Sequence, residues 1–240
     1  MSKKIIHIVS LLIVFNSLSL AQTFGFGCLG LAGIYAGISE YRYDVPALNN
    51  FLKAEQFSDD LNQLQFTRGT GYRIGANLFR AKWEGFFLSA KGYYQFIKEQ
   101  KISNSVSLQS QKNFQLNMNN WGLGLDLGTP IFKILDWKIL EGNISYYTPE
   151  LVVEYYENSN FIKDRKFTPE NTKLSYFVGS GLIFHLVPDY ISVEGTAGYN
   201  FLQIDQFKSE DNVLIGLSSN KAVKNAGWSY TLQINVGFPL

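Results

Sequence analysis

Residues that build most catalytic and metal centres are scarce in this chain. Its 240 residues include one cysteine and two histidines. A single cysteine, Cys28, excludes an intramolecular disulfide. One cysteine with one or two imidazoles cannot assemble a zinc site. Charge excess is also absent: 21 Lys and Arg stand against 20 Asp and Glu. Without a basic surplus to neutralise a phosphate backbone, no nucleic-acid partner is expected. Past the N-terminus no apolar run reaches 18 residues, which excludes a helical membrane span. No catalytic, cofactor-binding or metal-binding residue set is expected.

Aromatic residues, by contrast, make up 15% of the chain, and charged residues only 17%. The N-terminus supplies the compartment. Met1-Ser-Lys-Lys is a basic start, Ile5 to Leu20 is mostly apolar, and Ser19-Leu20-Ala21 places small residues where a signal peptidase cuts. Residues 1–21 are therefore expected to be a cleaved signal peptide, and 22–240 the mature domain. Removing Lys3 and Lys4 takes Lys+Arg from 21 to 19 against 20 acidic residues, a formal charge of −1. Cys28 lacks the aliphatic residue three positions earlier that lipidation needs (Gly25 stands there), so it is read as a small residue of the first strand.

Period-2 segments bounded by turn residues occur eight times, at about 28–42, 66–79, 84–97, 114–128, 136–156, 172–187, 190–204 and 226–238. Their connections alternate long and short. The short ones are Arg80–Trp83, Thr129–Leu135 and Pro188–Asp189; the long ones are polar. This layout predicts an all-β, eight-stranded antiparallel up-and-down transmembrane β-barrel, with short periplasmic turns and long extracellular loops. In the last strand Tyr230, Leu232, Ile234, Val236 and Phe238 alternate with Ser229, Thr231, Gln233, Asn235 and Gly237. In the third, Phe86, Leu88, Ala90, Tyr94 and Phe96 oppose Ser89, Lys91, Tyr93 and Gln95.

A soluble barrel would turn the apolar faces inward; a membrane barrel turns them to lipid. The polar faces carry Arg73, Lys91, Asp126, Glu141 and Glu194, charges suited to a lumen. An eight-stranded barrel is only just wide enough for side chains to fill it. These charges are expected to pair and plug the lumen, with a narrow pore for ions or small solutes as the alternative. Two aromatic belts are expected. Trp83, Phe132, Trp137, Tyr190 and Phe238 belong to the short-turn rim. Tyr41, Tyr43, Phe66, Phe96, Phe114, Tyr155, Tyr156, Phe201 and Trp228 belong to the long-loop rim.

Two segments break the alternation. Pro46-Ala-Leu-Asn-Asn-Phe-Leu-Lys-Ala-Glu spaces Leu48, Phe51 and Leu52 helically, with Pro46 suited to a first turn. A short helix at 46–55 is predicted in the first loop, capping the barrel mouth or contacting a partner. Pro149 falls inside the fifth segment, where a proline cannot donate to a ladder. It marks either a bulge or the point where the strand leaves the membrane.

The leader, the eight-strand layout and the last strand, Gly227-Trp-Ser-Tyr-Thr-Leu-Gln-Ile-Asn-Val-Gly-Phe-Pro-Leu, resemble small outer-membrane β-barrel proteins of the outer-membrane protein A and X type. In that family the alternating last strand ends on an aromatic, which the barrel-assembly machinery reads; here Pro239 and Leu240 follow Phe238. The resemblance implies residence in the outer membrane of a Gram-negative-type bacterium. It also implies outer-membrane lipid and the barrel-assembly machinery as partners, with an extracellular protein or surface ligand met through the loops. Some barrels of this size are enzymes that act on lipid at the outer leaflet. His185, the one histidine of the mature chain, is expected at the opposite rim in a structural role. A non-enzymatic envelope-structural or surface-interaction protein is the expected function.

Overall fold

The computed structural model of the chain describes residues 32–58, 60, 64–83, 85–105, 107–169, 173–188, 190–217 and 219–237. The expected leader (1–21), Cys28 and Phe238 lie outside those residues.

Eight antiparallel strands close a ring. They are β1 (Gly33–Arg42), β2 (Arg68–Lys82), β3 (Phe87–Ser105), β4 (Ser110–Phe132), β5 (Leu135–Glu157), β7 (Lys173–Val187), β8 (Ile191–Phe201) and β11 (Gly227–Gly237). Each pairs with the next, and β1 pairs with β11 to complete the circuit. Above the ring β5 changes partner: up to Tyr147 it pairs with β7, and from Leu151 with β6 (Asn160–Pro169). β6 then carries β9 (Phe207–Ser209) and β10 (Leu214–Ile215). Helix α1 spans Pro46–Glu55, the bounds the sequence predicts.

The short turns fall near where they are expected, although β2 runs on to Lys82 and β4 to Phe132; on the outer side β3 and β4 run further than their period-2 segments, and β6 is a strand that the sequence does not mark. The β3–β4 and β5–β6 hairpins occupy 98–113 and 157–169, which the sequence reads as loops. Asn158 and Ser159 both take positive φ at the β5–β6 turn, as a two-residue hairpin of matching twist requires. Pro149 introduces no bulge: it pairs in register with Met118. It stands where β5 has left β7 and has not yet met β6, so the missing donor falls where one edge lacks a ladder partner among the described residues.

A real bulge lies lower down. Gly128 pairs with Lys138 but Leu127 with Leu140, so Ile139 is an extra residue in β5. Ile139 and Leu140 both face outward, and the parity of the strand switches between Lys138 and Glu141.

The outward face of the ring is apolar. Ile34, Ile38, Ile74, Leu123, Leu125, Ile144, Val178, Leu182, Leu232 and Ile234 are all exposed. Aromatics bracket this band. Tyr72, Phe96, Trp121, Tyr176, Phe201, Trp228 and Tyr230 lie on the long-loop side; Phe86, Phe132, Trp137, Phe184 and Tyr190 lie on the short-turn side. Two belts around an apolar band are what amphipathic rings at two membrane interfaces produce. Phe96, Phe201 and Trp228 are where the sequence puts them. Tyr41, Tyr43, Phe66 and Phe114 are not: each is buried in a core above the belt. Their height was legible, but their inward parity takes them away from lipid.

Candidate functional site

The barrel interior is a continuous polar network. Arg73, Lys91 and Lys138 oppose Asp126, Glu141 and Glu194, three cations against three carboxylates, all buried. Lys91 Nζ lies 2.6 Å from Glu141 Oε1 and 3.1 Å from Asp126 Oδ1. Lys138 Nζ donates to Glu141 Oε2 and Glu194 Oε1. Arg73 reaches Glu141 at 3.7 Å and donates to Gln95 Oε1 at 3.2 Å, with its guanidinium 4.2 Å from the centre of the Tyr93 ring. Neutral groups complete the shell: Asn143 donates to Glu141 at 2.8 Å, Ser89 to Asp126 at 3.4 Å and Asn235 to Glu194 at 3.4 Å.

Glycine on the inner face of β4 makes room for this network. A Cβ on Gly124 would stand 1.9 Å from Asn143 Oδ1, and one on Gly122 would stand 2.7 Å from the Tyr93 hydroxyl. The Gly122-Leu-Gly-Leu-Asp stretch therefore alternates backbone clearance inside with leucine outside.

All five charges assigned to the lumen from sequence are there. Lys138 was missed, because strict alternation from Glu141 sends it to the lipid face. The bulge at Ile139 returns it inward. The sequence did carry a signal: two charges three apart around Ile139-Leu140 can share a face only across an inserted residue.

Above the lumen the interior becomes dry. Tyr41 donates to Gln95 at 3.0 Å and Asn200 to Tyr147 at 2.8 Å, at the top of the luminal network. Over it pack Val45, Leu48 and Leu52 of the α1 region, Phe66, Ile97, Phe114, Leu116, Met118, Leu151, Val153, Phe167, Ile204, Phe207 and Val223. Helix α1 is clamped at both ends. Asn49 exchanges two hydrogen bonds with the Phe66 backbone, at 2.8 and 3.1 Å. Lys112 Nζ donates to the Glu55 carbonyl at 2.5 Å, a cation at a helix C-terminus. Beneath the helix the Tyr43 hydroxyl donates to Glu99 at 2.6 Å; burial and that carboxylate push it far above its ordinary range, so it stays a donor.

At the short-turn mouth a recess of about 270 Å³ is lined by Trp83, Phe87, Phe132, Lys133, Asp136 and His185 among others. His185 Nε2 is 2.9 Å from Asp136, which also accepts from Arg80 at 3.1 Å. Ser192 is the cross-strand partner of His185, yet its Oγ accepts from Asn235 at 3.3 Å.

An apolar exterior, a charged interior and a closed antiparallel ring reverse the arrangement of a water-soluble protein. Only a ring without edges satisfies its backbone in hydrocarbon using strands. The chain is a small β-barrel of the bacterial outer-membrane class.

No protein-family model and no curated protein matches it. Among solved structures it is similar to Ail, the attachment invasion locus protein of Yersinia pestis, at 13% identity and TM-score 0.40, over 86% of this chain and 97% of that one. Neisserial surface protein A (NspA) is similar at 9% identity and TM-score 0.38, over 91% and 100%. The outer-membrane protease OmpT of Escherichia coli gives 9% and 0.38, over 92% and 100%. At such scores the architecture rests on the strand ring itself.

Proposed function

We propose that the chain is a non-conducting, non-enzymatic outer-membrane barrel that displays a folded head outside the cell. The head meets an extracellular protein or surface ligand or reinforces the envelope. The 1–21 leader would deliver it for insertion by the barrel-assembly machinery. The observation that carries this reading is the two-storey filling of the interior. A solute entering from outside meets a dry core clamped by α1, then six interlocked charges. Displacing one partner would leave the others buried and uncompensated, at a cost of about 3–5 kcal/mol.

Against catalysis stands the placement of His185. It serves Asp136 at the periplasmic mouth, and its strand neighbour Ser192 is engaged elsewhere. Purified full-length protein in a planar lipid bilayer tests the first half of the proposal. No single-channel steps are expected; steady steps would establish the narrow pore instead. Mass spectrometry of lipids from cells expressing the chain tests the second half. Unchanged acyl content is expected, and altered lipid A or phospholipid would make it an enzyme.

A further inference from the structure

One sector of the outer rim carries a charge arrangement that the fold itself does not favour. Arg42 of β1 and Arg68 of β2 are directly opposite across the ladder, and both side chains point outward, 60% and 61% exposed. Like charges at facing positions destabilise a strand pair. Lys98 of β3, also outward, pairs with Thr70 beside them and forms no ion pair among the described residues. One carboxylate answers the three cations: Glu40, 3.3 Å from Arg42 and 3.8 Å from Arg68. The sector therefore keeps an excess of two positive charges.

Its neighbours differ. On the β4–β5 side the same height holds Asn117, Asn119, Thr148 and Glu150. On the far side Lys224 pairs with Asp44 at 3.9 Å and Lys221 with Asp205 at 3.6 Å. The excess is local to β1–β3.

Height identifies what it faces. Lys98 lies two residues above Phe96 of the outer belt, about 7 Å along the strand. Arg68 lies four residues above Tyr72, about 13 Å along a tilted strand. The Arg42 guanidinium sits 5.7 Å from the centre of the Tyr230 ring, drawn down onto the belt. The shelf thus continues the lipid-facing wall into the layer where lipid headgroups begin. Arginine forks suit phosphate oxygens, and a lysine supplies a further point charge.

We infer that Arg42, Arg68 and Lys98 form a docking shelf for a phosphate-bearing lipid of the outer leaflet, whose acyl chains lie along Ile38, Tyr72, Ile74 and Phe96. The anion between the arginines offsets their repulsion, with Glu40 holding both in place when the shelf is empty. This rests on the membrane placement above, which the heat-dependent gel shift of a folded barrel reads separately.

The test is native mass spectrometry of the full-length barrel, released from detergent micelles titrated with lipid A, with dephosphorylated lipid A, or with phosphatidylcholine. Retention of lipid A over the other two is expected. Arg42→Gln, Arg68→Gln and Lys98→Gln should each weaken retention about fivefold, and the triple variant about a hundredfold. Glu40→Gln should strengthen it, up to about fivefold, since it removes the competing carboxylate. Equal retention of dephosphorylated lipid A, or a triple variant that binds as the parent does while still shifting on heating, would overturn the shelf. Inorganic phosphate that displaces lipid A completely would show that the site recognises a free anion, not a lipid.

Discussion

Strand β4 is two proteins in sequence. From Trp121 to Leu127 its odd positions are apolar and exposed, and its even positions are Gly122, Gly124 and the buried Asp126. From Asn113 to Asn119 the odd positions are all amides, and the even ones are Phe114, Leu116 and Met118, buried. Even residues point inward throughout; only the chemistry changes. Leu125 is 59% exposed and Leu116 is 0% exposed, on one continuous strand. The lower region is solvated by lipid and must put its polarity inside; the upper is solvated by water and must put it outside. β5 makes the same exchange, from inward Glu141, Asn143 and Ser145 to inward Leu151 and Val153. One backbone geometry serves both solvents because the period of 2 fixes direction without fixing polarity.

Four substitutions sharpen the contrast, each read as urea unfolding of the purified barrel. The largest effect belongs to the lumen. Glu141→Ala leaves Lys91, Lys138 and Arg73 without their shared carboxylate and should cost about 3–5 kcal/mol. In the head, Leu116→Ala opens a cavity in the dry core and should cost about 2–5 kcal/mol. On the outward face, Leu125→Arg puts a charge in hydrocarbon and should cost about 2–4 kcal/mol. Gln115→Arg, on the same face above the belt, should stay within about 0.5 kcal/mol. Equal costs at 115 and 125 would erase the boundary between the regions.

A further modest effect lies at the periplasmic mouth. Arg80 and His185 both meet the Asp136 carboxylate there, at 3.1 and 2.9 Å. Asp136→Asn should remove about 1 kcal/mol at neutral pH.

Much of the lower region was legible in sequence. Where lipid solvates one face and a polar lumen the other, apolar and polar residues mostly alternate, and eight segments and five luminal charges followed. The helix at 46–55 was legible from Pro46 and the spacing of Leu48, Phe51 and Leu52. The upper region was obscure for a physical reason. In 98–113 the outward residues Lys98, Gln100, Asn104 and Gln111 meet water, and several inward ones (Glu99, Lys101, Ser103) are polar too, so no alternation marks the strand. Tyr41 and Phe114 were placed by height alone, and height does not say which face a ring is on. Lys138 was hidden by a single inserted residue, Ile139.

Spin labels placed singly at each position from 113 to 127, in a Cys28→Ser background, measure the exchange of faces most directly. Collision rates with oxygen, which concentrates in lipid, and with a water-soluble nickel complex are read at each site in bilayers. Odd positions from 121 to 127 should favour oxygen, positions 115 and 117 should favour nickel, and even positions throughout should be shielded from both. Oxygen preference running unbroken along the odd positions, or nickel reaching the even ones, would contradict a strand that passes from lipid to water around a filled interior.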